Sequence, residues 1–72
     1  MKQTVIITGH EEKGLIRKRT VYKGVVKGSP GLSGMSENKK FMKTYHHGDE
    51  VIANVTIYTK AEDEFMTFEI LE

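Results

Sequence analysis

Between positions 15 and 45 the chain sets cations among aromatic rings: Arg17, Arg19, Lys23 and Lys27 with Tyr22 between them, then Lys39, Lys40 and Lys43 with Phe41 and Tyr45. Single-stranded nucleic acid is held by this chemistry, cations following the phosphates while flat side chains stack on bases. If residues 15–27 form one strand, alternate side chains point to opposite faces. Leu15, Arg17, Arg19, Val21, Lys23, Val25 and Lys27 then make a basic ladder. Ile16, Lys18, Thr20, Tyr22, Gly24 and Val26 make the core side, with Lys18 misplaced there. The competing reading of the ladder is a solvated strand face, because the same alternation buries Tyr22 away from any base.

Other chemistry-bearing residues are less well grouped. His10, His46, His47 and Asp49 suggest a metal, but His46 and His47, being adjacent, would point apart on a strand and could share an ion only in a turn. The acids Glu62, Asp63 and Glu64 read as a solvated hairpin tip, since general acid catalysis needs a carboxyl whose surroundings raise its pKa. Residues 28–34, Gly-Ser-Pro-Gly-Leu-Ser-Gly, lack the spacing of a phosphate-binding P-loop. The chain has no cysteine, hence neither a disulfide nor a thiolate metal site. These observations predict no enzyme, no cofactor and no metal.

The elements that would position these side chains are mostly strands. Residues 2–8 are rich in strand formers, and 9–14 read as a hairpin loop into the strand 15–27. Gly24 on its inner side marks a bulge or a bend where a sheet curls. Residues 28–34 read as loop throughout. Residues 36–46 are ambiguous: Ser36 could cap a short helix over 36–45 with Asn38, Phe41, Met42 and Tyr45 on one face, giving way to extended chain near Phe41. After the turn signal Gly48-Asp49, residues 51–58 alternate cleanly, 60–64 form a charged loop, and 65–71 return as an antiparallel strand. Together these predict one small all-β or mainly β domain: an antiparallel five-stranded barrel or strongly curled sheet, OB-like or SH3-like, with at most that one short helix.

Seventy-two residues make one domain near the lower limit for a self-sufficient core, so oligomerisation would help it. The net charge of +1 hides an asymmetry. Residues 1–47 carry ten Lys and Arg against three acids, and residues 48–72 carry one Lys against seven. Such a split fits a polyanion-binding surface or subunits that meet basic face to acidic face, unless the halves interleave and neutralise each other. The apolar run 5–7 is too short for a signal core or a membrane span, and cysteine-free composition fits a reducing compartment; the expected setting is cytoplasmic and soluble, without a membrane.

The segment Gly48-Asp49-Glu50-Val51-Ile52-Ala53-Asn54-Val55, followed by a hairpin to Phe65 through Ile70, resembles the Gly-Asp-x-Val-x-Ala-x-Val entry to the last two strands of S1-type RNA-binding OB domains. The resemblance covers about a third of the chain and implies a small barrel. It transfers no binding residue, because the upstream aromatic pattern of those domains has no counterpart here. The expected function is a small nucleic-acid-binding module using Arg17, Arg19, Lys23, Lys27, Lys39, Lys40, Lys43 and Tyr45. The alternative is a phage- or plasmid-type regulatory factor that binds a host protein or self-assembles through β edges and charge complementarity.

Overall fold

Val5 and Ile7, Ala53 and Val55, and the series Met66, Phe68 and Ile70 are each spaced by two, so an extended chain turns each set to one side. In the computed structural model, which describes residues 1–71, these sets line a single interior together with Tyr22, Val26 and Tyr45. Five strands enclose it: β1 (Lys2–Lys13), β2 (Arg19–Val26), β3 (Ser29–Ser36), β4 (Glu50–Lys60) and β5 (Asp63–Ile70). They close into a barrel in the order β1-β2-β3-β5-β4. Val5, Ala53 and Phe68 have no solvent exposure at all.

The barrel is mixed, where an all-antiparallel one was expected. β3 and β5 run parallel, with Gly34, Met35 and Ser36 opposite Met66, Thr67 and Phe68, and every other pairing is antiparallel. The segment 37–49 makes this possible by carrying the chain across the barrel end before β4 and β5 fold back as a hairpin. The seam between β1 and β4 is short, running only from Lys2 opposite Asn54 to Ile6 opposite Glu50. Past it and past the reach of β3, both hairpins end as two-stranded ribbons: β1–β2 from His10 opposite Tyr22 to Lys13 opposite Arg19, and β4–β5 from Tyr58 opposite Phe65 to Lys60 opposite Asp63.

Three local expectations need correction. The first concerns the long basic strand, which begins at Arg19 and not at Leu15, because β1 runs on through residues 9–13 after a register break between Ile7 and Gly9. Gly14, with φ of +109°, turns the chain out of β1, and the loop that follows leaves Leu15 and Ile16 fully exposed. Within β2 the expected faces hold from Tyr22 onward, with Tyr22, Gly24 and Val26 buried, although Val21 is buried as well. Gly24 lies against the packed interior: a Cβ there would stand 2.5 Å from Val5 Cγ1 and 3.2 Å from Phe68 Cζ.

The second correction is β3 itself, which occupies most of the glycine-rich stretch expected to be loop. A strand forms there because β2 and β5 supply partners on both sides, and small residues are what the packing requires. A Cβ on Gly34 would collide with the Met66 carbonyl. The third is residues 36–45, which contain no helix. Ser36 Oγ accepts the Tyr22 backbone N–H at 3.0 Å, so it caps nothing. Glu37 N–H donates to the Phe68 carbonyl, and the Asn38 side chain both donates to the Ile70 carbonyl at 3.0 Å and accepts the Ile70 N–H at 2.7 Å. The chain thus prolongs its pairing with β5 beyond the end of β3. Among the described residues no helix is long and apolar enough to cross a membrane.

Candidate nucleic-acid interface

Tyr22 fixes the segment 37–49 to the barrel. Phe41 and Tyr45 meet its ring edge-on, at centroid distances of 4.8 and 5.2 Å. Its hydroxyl accepts the Tyr45 backbone N–H at 3.0 Å. The four-residue interval between Phe41 and Tyr45, which has the spacing of a helix face, serves here to place two rings on a third. Residues 46–49 close the segment: His46 N–H donates to Asp49 Oδ2 at 2.8 Å, and Gly48 N–H donates to the Ile7 carbonyl at 2.7 Å.

Between this segment and the start of β2 lies an open groove of about 540 Å³, and five cations line it: Lys18, Arg19, Lys39, Lys40 and Lys43. No acid is among its lining residues. Half-buried Phe41 and exposed Met42 add apolar surface. Lys43 Nζ also stands 5.4 Å from the centroid of the Tyr45 ring, within cation–π range. Among the described residues no ion pair engages Lys18, Arg19, Lys39 or Lys40. Two stretches of sequence twenty residues apart therefore converge on one positively charged surface.

The other residues expected at the site lie elsewhere. Arg17 sits in the exposed loop before β2, outside the groove lining. Lys23 Nζ pairs with Glu11 at 3.0 Å and Lys27 Nζ pairs with Glu50 at 2.8 Å, so acids from β1 and β4 neutralise the middle and end of the ladder. The hydrogen bond from Lys23, with its charge and that of Lys13 in support, holds the Glu11 carboxyl below the usual glutamate range. Tyr45 is 5% exposed, and a ring packed against Tyr22 has no face to offer a base.

Two features escaped the sequence reading. Lys18, assigned to the inner face, lines the groove because the strand starts one residue after it. The glycine at position 14 was the signal, since it can end a strand as readily as a loop. Tyr58 and Phe65, opposite each other on β4 and β5, stack at 5.5 Å with both rings over 40% exposed. Alternation through Ile52, Asn54 and Thr56 already placed Tyr58 outward. The three histidines also come together, lining a cavity of about 500 Å³ beside the groove, with His47 in a turn. Among the described residues no group of His, Asp or Glu has an arrangement that could hold a metal ion.

Comparison with protein-family models, with curated proteins and with solved structures finds no match to this chain, so the chemistry of the groove carries the functional reading by itself.

Proposed function

We propose that the protein is a small, non-enzymatic module that binds single-stranded nucleic acid in the groove between the start of β2 and the segment 37–49. The observation that carries this reading is the lining: five cations without an acid, around a floor that includes an aromatic ring. Phosphates are drawn by the cations, and Phe41 and Met42 offer bases an apolar surface that a duplex, with its bases stacked inside, does not need. The closed five-stranded barrel in the order β1-β2-β3-β5-β4 supports an OB-like assignment; of the surfaces with which that fold holds oligonucleotides, the groove uses the start of β2, while the acidic β4–β5 loop contributes nothing to its lining. The absence of cysteine supports a cytoplasmic setting.

Relative to the sequence expectation, the proposed site moves toward one end of β2. Lys18, Arg19, Lys39, Lys40 and Lys43 form it, with Lys23 and Lys27 reduced to secondary contacts by their acidic partners. The test is anisotropy of labelled single-stranded DNA and RNA across a range of salt. Four or five phosphate contacts on a single strand give an affinity loss of roughly a hundredfold between 50 and 200 mM salt. A combined Arg19→Ala and Lys40→Ala variant should weaken binding to all sequences and flatten the salt slope by about 1.4. Affinity that is absent at low salt, or unchanged in that variant, removes the groove from nucleic-acid binding.

A further inference from the structure

The β4–β5 ribbon ends in the opposite chemistry to the groove. Its tip, from Lys60 to Glu64, holds Glu62, Asp63 and Glu64 against one lysine. The turn is made by Ala61 and Glu62, both at positive φ, 50° and 69°. Residues other than glycine rarely adopt that conformation, so the turn is tight and its shape well defined. Behind the tip stand the exposed stacked rings of Tyr58 and Phe65. An acidic tip with an aromatic neck is complementary in charge and chemistry to an open groove lined by five cations with Phe41 and Met42 among them.

The tip cannot enter the groove of its own chain. Asn38, next to the groove lysines Lys39 and Lys40, is bonded to Ile70 at the far end of β5 from Asp63, about 23 Å along an extended strand. Likewise Arg19 pairs with Lys13 at one end of β1, while β4 pairs with the other end and runs on away from it to Lys60. Tip and groove therefore lie toward opposite ends of the strands that connect them.

We propose that the acidic tip of the β4–β5 ribbon of one copy docks in the basic groove of a second copy, so that the protein associates head to tail and nucleic acid competes for the same groove. Such a contact is heterologous and leaves a tip and a groove open at the two ends of each chain of copies, so association proceeds past the dimer with rising concentration. It goes beyond nucleic-acid binding and does not depend on it.

The experiment is sedimentation velocity from micromolar to millimolar protein at low and high salt. It uses the wild type, a groove variant (Lys39→Glu with Lys40→Glu) and a tip variant (Glu62→Lys with Glu64→Lys). The wild type should grow in mass with concentration at low salt and return to the 8.2 kDa monomer at high salt. Each charge-reversed variant alone should lose association by at least about tenfold in concentration, and an equimolar mixture of the two should regain it, which also shows that both are folded. A wild type that stays monomeric at millimolar concentration and low salt overturns the proposal, as does a tip variant that associates like the wild type. The tip variant must keep any nucleic-acid affinity of the wild type. If neither protein binds DNA or RNA while the charge-swap pattern of association holds, the nucleic-acid reading fails alone.

Discussion

The two hairpins that project from this barrel share one plan and differ in nearly everything carried at their ends. The β1–β2 ribbon closes through a loop opened by Gly14, with Leu15 and Ile16 exposed and Arg17, Lys18 and Arg19 clustered at its base. The β4–β5 ribbon closes in a tight turn through two residues at positive φ, with three acids and no apolar side chain larger than that of Ala61 at its tip. A loop adapts, whereas a tight turn presents its charges in a fixed place. The difference separates the roles: the basic end is built like a receptor surface, completed by the segment 37–49, and the acidic end like an insert.

Breaking the frame that keeps the two ends apart should have the largest effect. Phe68 is fully buried on β5, and Phe68→Ala should cost about 3–5 kcal/mol, a large part of the stability of a domain this small. Urea titration followed by circular dichroism would show it as a midpoint shift without a change of slope. Asn38→Ala should come next, at about 2 kcal/mol, because it strips partners from both the N–H and the C=O of Ile70. It removes the tie to β5 nearest the groove lysines, leaving Glu37 bonded to Phe68 and the tip untouched, so groove lysine resonances should shift in NMR spectra and those of residues 58–65 should not.

Sharpening the acidic end should be stabilising. Ala61→Asn suits the positive φ at the first turn position and leaves every acid in place, for a gain of about 0.5–1 kcal/mol and a rise of a few degrees in melting temperature. The smallest effect belongs to Lys23→Ala, which touches only an exposed ion pair. Because Lys23 lowers the Glu11 pKa in the folded state, the pair contributes above the ordinary glutamate value of 4.5 and is lost as pH falls through the lowered value. In the variant the Glu11 titration, followed by carboxyl NMR, should move up toward 4.5, with the melting temperature at neutral pH unchanged within error.

How far these features could be read from sequence depended on whether local pattern and tertiary role agreed. They agree along β4 and β5, where one face is core and the other is not, and the period of two is visible in Ala53, Val55, Met66, Phe68 and Ile70. They conflict in β3, where Gly34 must be small because the Met66 backbone lies against it, and smallness reads locally as a break. They conflict again at Phe41 and Tyr45, whose spacing suits a helix but answers to Tyr22. The basic ladder was half legible. Its lysines are present, but Glu11 and Glu50, which neutralise Lys23 and Lys27, come from neighbouring strands that the ladder itself does not specify. The convergence of Arg19 with Lys39, Lys40 and Lys43 followed from where segment 37–49 folds back, which no spacing encodes.

The short seam between β1 and β4 sets a clock on the two ends of the molecule. From Lys2 to Ile6 every edge of the barrel is occupied, and amide protons there are released only when the barrel opens as a whole. Past Val55, β4 has β5 on one side and no strand on the other, and β1 past the seam has only β2. Alternate amides along those outer edges face water and should exchange many orders of magnitude sooner than those of Val5 or Ala53. Deuterium uptake would then proceed from both ends toward a protected belt, and whichever end is capped by a ligand or a second copy should be the end at which that uptake slows.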